Sequence, residues 1–194
     1  MTAEEIVARL VYRDGLMLVI DKPAGLAVHK GPKGGESLED YFDALRFGLP
    51  RPPALAHRLD RDTSGCLVLG RHRKALAALG RLFKSGRIGK SYWAAVAGEP
   101  AQEEGRIELP LGRKDATRGW WMKHDPAGRP AATAWKVMGQ TQTSSASSSS
   151  PRLTWLALEP ITQPRHCSPP PPHAPNPCRQ STPNRRFREQ KSAI

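Results

Sequence analysis

Apolar residues in this chain come in short runs, and that pattern limits the fold more than any other feature. Leu16 to Asp21 (LMLVID) is rich in branched side chains and is closed by the turn signal Lys22-Pro23-Ala24-Gly25. Cys66 to Leu69 (CLVL) is a second buried-strand candidate, and Lys90 to Val96 alternates. Arg106 to Leu109, Trp120 to Lys123, Thr133 to Met138 and Leu153 to Leu158 read the same way, and extended patterns run over Leu26 to His29 and Ala54 to Asp60. Two amphipathic helices interrupt these strands. One starts at Ser37 with Asp40 in the capping-box place, gathers Leu38, Tyr41, Phe42 and Leu45 on one face, and ends at Gly48. The other carries Leu76, Leu79, Leu82 and Phe83 and stops at Gly86. Many short strands with two helices between them specify an α+β domain.

Two segments depart from this pattern. Thr141 to Ser150 (TQTSSASSSS) is polar and of low complexity, as expected of a flexible loop joining two strands. From Gln163 onward the chain holds eight prolines and few apolar residues, too little surface to offset the entropy of ordering it. The expected organisation is therefore one folded domain over 1–162 and a disordered Pro/Arg-rich tail over 163–194.

No apolar stretch approaches the ~18 residues of a membrane span. The opening MTAEEIVARL has no apolar core of the kind a secretory signal needs. Three cysteines (Cys66, Cys167, Cys178) make no paired framework, which fits a reduced, cytoplasmic protein. The net charge of +12 points to a polyanionic partner, nucleic acid first. Residues 163–194 carry six Lys or Arg against one Glu, so five of the twelve net charges sit in the tail and seven in the body. The body is basic by itself.

The densest chemistry lies in His57-Arg58-Leu59-Asp60-Arg61-Asp62-Thr63-Ser64-Gly65. Packed cores exclude unpaired charges, so a polar cluster before an apolar strand lines a surface or a cleft. If His57, Arg58 and Arg61 are also near Asp60 in space, its carboxylate stays ionised and available as a nucleophile. The same residues also suit an exposed, salt-bridged turn in which Asp60 only accepts backbone hydrogen bonds. Asp60 and Asp62 form a DxD pair of the kind aspartate-nucleophile phosphatases use, but His57 and Arg58 interrupt the apolar strand that such a pair follows.

HRLDRDTSG resembles the HRLDxxTSG signature of RluA-type pseudouridine synthases at every specified position. MLVIDKPAGLAVH (Met17 to His29) is similar to the opening strand and DKPxGxxVH turn of that family, and KSYWAAVAG (Lys90 to Gly98) to its KxYxAxVxG strand. The three matches stand in family order and span roughly residues 14–162; nothing before them resembles an S4 RNA-binding domain. The resemblance implies the pseudouridine synthase catalytic fold, a mixed, mainly antiparallel sheet with flanking helices. It implies that Asp60 is the nucleophile and that Tyr92 stacks beneath the target uracil and assists proton removal. Arg58 would lie by the flipped nucleotide. Thr63, Ser64 and Gly65 would hold the loop in shape, and His57, Arg58, Arg61 and Thr63 form the expected substrate-binding set.

Isomerising uridine needs no redox step and no external group, so no cofactor and no metal are expected. A carboxylate can add to carbon 6 of the pyrimidine or to the anomeric carbon of the sugar. The nucleotide must leave its stack, at a cost of a few kcal/mol. The partner implied is ribosomal or transfer RNA, acted on by a monomer. After Thr162 the family continues with a GRTHQIR-like segment, whereas this chain reads QPRHCSPPPP. The abrupt change resembles out-of-frame translation of a GC-rich gene and leaves the fold incomplete at its C-terminus. Asp60 would lose a charge partner and the base part of its clamp, so activity far below that of an intact relative, down to none, is expected. Arg165 and His166 are weak substitutes by spacing. Cys167, His173 and Cys178 fit no common zinc pattern. Trp120 and Trp121, beside Lys114, Arg118 and Lys123, suit either RNA contact or a hairpin with one Trp buried. The alternative function is RNA binding without catalysis, by a remnant of such an enzyme.

Overall fold

The computed structural model describes residues 1–31, 34–112, 124–141 and 152–162 of the 194. These divide into two compact units, Met1–Gly89 and residues 90–162. The first unit is a four-stranded sheet in the order β1-β2-β4-β3, with β1 Leu10–Arg13, β2 Met17–Lys22, β3 Ala54–Leu55 and β4 Gly65–Gly70, all antiparallel. β1 and β2 are joined at Asp14, whose carboxylate accepts the backbone N–H groups of Leu16 and Met17, both at 2.7 Å. These bonds hold that carboxyl below its usual range.

The alternation of β2 sets the core of this unit. Leu18, Ile20 and Lys22 point inward, and cross-strand pairing sets Leu18 against Leu69 and Ile20 against Leu67 of β4. Helix α2 (Arg73–Lys84) follows β4 as the sequence pattern requires, and Gly86 at φ +70° ends it. α2 lies so close to the sheet that a Cβ at Gly70 would meet the Leu76 Cα at 2.8 Å. The segment after Ser37 forms a 3-10 helix over Leu38–Leu45 instead of an α-helix, with Leu38, Phe42 and Leu45 buried. The Asp40 carboxylate accepts the Ser37 N–H at 3.0 Å, as the capping-box reading requires.

Other expectations are corrected. Residues 3–8 form a short helix, α1 (Ala3–Ala8), capped by Thr2 and Glu5. Leu26 to His29 is not a strand: Ala27 makes one isolated bridge to Ser37, and the Ala27 and Val28 carbonyls accept the Leu38 and Glu39 N–H groups at the start of the 3-10 helix. Extended pairing from Ala54 covers only Ala54–Leu55. Cys66 is exposed, since a one-sided antiparallel strand buries only Leu67 and Leu69 of CLVL.

The second unit is an antiparallel sheet in the order β5-β8-β7-β6, with β5 Tyr92–Ala97, β6 Glu104–Glu108, β7 Ala132–Gln140 and β8 Leu153–Pro160. Tyr92 pairs with Leu158, which pairs in turn with Trp135, itself opposite Gly105. The chain stays bonded past β8: the Thr162 Oγ1 accepts the Ala132 N–H at 2.7 Å. Expectations for Trp120 to Lys123, including the two tryptophans beside Lys114 and Arg118, lie outside the described residues. So do those for residues 142–150 and for the tail.

Candidate active site

Asp60 stands exposed on the loop between β3 and β4. Leu59, 8% exposed, turns inward beside it, and burying a side chain of this size contributes roughly 1.5–3 kcal/mol. The Thr63 N–H donates to the Asp60 carbonyl at 3.2 Å and closes a turn. Gly65, at φ +110°, then leads into β4 in a conformation that L side chains rarely adopt. A buried residue and a glycine thus pin the two ends of a loop whose centre faces solvent.

A residue without an assigned role in the sequence reading holds this loop from beneath. Lys22 is 0% exposed, at the inward-facing end of β2 and opposite Gly65 in register. Its ammonium donates to the carbonyls of Pro23 (2.7 Å), Leu26 (2.7 Å) and Arg61 (3.0 Å), which uses all three of its donors. Burial pushes its pKa down, while Asp62 and Asp60 pull it back up. The Arg61 carbonyl also accepts the Gly25 N–H at 2.9 Å, and the Arg61 Nε donates to the Gly25 carbonyl at 2.8 Å. Gly25, at φ +83°, makes the turn that allows this exchange. The KPAG turn and the HRLD loop are therefore one clamped assembly.

The candidate residues take different places around it. Arg61 is spent on Gly25, and it makes no ion pair with Asp60 among the described residues; nor does exposed Arg58. The His57 Nε2 accepts the Val68 N–H at 3.0 Å, which leaves the ring proton on Nδ1. Its ring lies 4.5 Å from that of Phe83 on α2, tilted by 35°. Thr63 is half-buried in the turn. Tyr92 lies in the second unit, half-buried at the start of β5 on the face it shares with Leu158 and Trp135. The signal that could have revealed Lys22 is its spacing: it continues the inward series Leu18, Ile20, a position that normally demands an apolar side chain.

A family model described as RNA pseudouridylate synthase matches residues 16–166. An uncharacterized RNA pseudouridine synthase of Zymomonas mobilis is 41% identical over 138 residues, covering 71% of this chain and 63% of the relative. The ribosomal large subunit pseudouridine synthase C of Vibrio vulnificus is 34% identical over 165 residues, covering 84% of this chain and 48% of that protein. Among solved structures, human RNA pseudouridylate synthase domain containing 4 superposes with a TM-score of 0.65 at 24% identity. That match covers 84% of this chain and 63% of the human one, a likeness of fold. The chain thus spans less than two thirds of the length of these relatives.

Proposed function

This chain belongs to the RNA pseudouridylate synthase family, and from that premise we propose that it isomerises uridine to pseudouridine in ribosomal or transfer RNA, with Asp60 as the nucleophile. The observation that carries this reading is the exposed Asp60 carboxylate on a loop clamped from below by Lys22 and Arg61. A loop backbone held in place before substrate arrives lessens the reorganisation needed at the moment of reaction.

In the proposed reaction the Asp60 carboxylate bonds transiently to carbon 6 of the pyrimidine or to the anomeric carbon, and the bond from N1 to the anomeric carbon breaks. The base rotates, the anomeric carbon bonds to carbon 5, and the bond to Asp60 is released. The hydrogen on carbon 5 leaves as a proton and N1 gains one, so the product is an isomer and no oxidant is required. Tyr92 offers an aromatic face for the everted base, worth roughly 1–3 kcal/mol of stacking. Exposed Arg58 is a cation available to a phosphate or to the gap in the stack. Arg61, Thr63 and His57 act through the loop: the first two hold its backbone, and His57 anchors it to β4 and α2.

Release of tritium from RNA carrying uridine labelled at carbon 5 tests the proposal, since isomerisation expels that hydrogen. We expect release from the native chain and none from Asp60→Asn. RNA binding without release would instead favour a non-catalytic remnant. Mapping pseudouridines in cellular RNA with the gene present and deleted identifies the target.

A further inference from the structure

The outer face of α2 carries positive charges that have no ion-pair partner among the described residues. Between Asp62 and Glu99 the chain holds seven Lys or Arg and no acidic residue. Four of them, Arg73, Lys74, Arg81 and Lys84, lie on α2 and are exposed. At about 100° per residue all four fall within one arc of roughly 100°, spread over about 16 Å of helix axis. None makes an ion pair or side-chain hydrogen bond among the described residues. By contrast Arg9, Arg46, Arg106 and Arg152 are each matched to a carboxylate, at 3.6, 2.6, 2.6 and 2.7 Å.

We propose that this stripe is a docking surface for the RNA backbone, separate from the loop that carries Asp60. The inference rests on the isomerase reading and extends it to where the substrate is held. A row of cations along a helix is the electrostatic footprint of a phosphate track. Its first turn holds Arg73 and Lys74 and no acid, the reverse of what the helix dipole favours, so a polyanion supplies the missing negative charge. A lipid surface fits less well, because a membrane-lying helix needs an apolar face free for the lipid. The apolar side of α2 is already engaged, with Ala75 buried, Leu76 against Gly70 and Phe83 on the His57 ring. That last contact also ties the stripe to the HRLD segment within one unit.

The test compares two variants of the full chain that each lose four positive charges. One is Arg73→Gln, Lys74→Gln, Arg81→Gln, Lys84→Gln; the other is Arg9→Gln, Arg46→Gln, Arg106→Gln, Arg152→Gln. Affinity for a uridine-containing RNA hairpin is measured by fluorescence anisotropy over a salt series, with circular dichroism to confirm folding. The slope of log affinity against log salt should flatten by about 3 for the α2 variant, at roughly 0.7–0.9 per lost phosphate contact. It should change little for the control. Equal flattening in both reduces the effect to overall charge and overturns the proposal, as does an unchanged slope in the α2 variant. Binding to phosphatidylserine vesicles through these residues, with none to RNA, also overturns it. Loss of tritium release with an intact α2-dependent slope refutes the isomerase reading alone.

Discussion

Replacing Lys22 with methionine puts the clamp to its sharpest test, because two large effects of opposite sign meet there. The substitution keeps length and apolar stem but removes the ammonium. Three carbonyls, those of Pro23, Leu26 and Arg61, lose their donor. Hydrogen bonds to charged groups contribute about 1.5–3 kcal/mol each, so the three together amount to roughly 5–9 kcal/mol. Against that, the substitution relieves the cost of burying a charge, several kcal/mol for a side chain that is 0% exposed. Arg61 is exposed, so water can reach part of what is left unpaired. The balance is a net loss of about 2–4 kcal/mol, a large fraction of a typical domain's 5–15 kcal/mol. Urea denaturation followed by circular dichroism should show the midpoint falling by about 1–2 M, taking a slope near 2 kcal/mol/M. Tritium release under folded conditions should fall as well, mainly in kcat, because the loop loses its fixed geometry. An unchanged or higher midpoint would refute the reasoning, since it would mean that relief of desolvation outweighs the three bonds.

Other outcomes follow from the same structure. Tyr92→Leu should weaken RNA binding by roughly 1–3 kcal/mol, whereas Tyr92→Phe should retain most of it, both read by anisotropy. Gly65→Ala should cost about 1–3 kcal/mol, because its φ of +110° is strained for any side chain; a thermal melt of the variant within a degree of the parent would contradict this. The carboxyls of Asp14 and Asp40 are both held below the usual 3.8, Asp14 first by the Met17 N–H and Asp40 first by Lys30. Depressed carboxyls contribute stability that is present above 3.8 and lost as pH falls through their folded values. The urea midpoint should therefore decline below about pH 4, and Asp14→Asn should reduce that decline.

Much of this was legible in the sequence, and what was not has physical reasons. α2 shows in its helical apolar spacing, and strands β4, β5, β7 and β8 show as short apolar runs between turn signals. The HRLD loop shows in its charge density. Lys22 is not readily legible in the sequence because a lysine closing an apolar run reads as a solvated turn residue, and its inward direction shows in its burial and its register with Gly65. Cys66 misled in the opposite direction, since a four-residue apolar run carries no mark of which face is covered. Arg61 is adjacent to Asp60 in the chain, yet its side chain serves Gly25, thirty-six positions earlier. Adjacency in sequence does not imply pairing in space.

The link between Lys22 and Arg61 spans thirty-nine positions, so the HRLD loop depends on a distant strand as well as on its own turn. Until β2 has docked on β4, Asp60 belongs to a floppy stretch with no defined aim. The proposed activity should thus be lost no later than the melting of Met1–Gly89, since the shape of the loop depends on residues that β2 and β4 bring together.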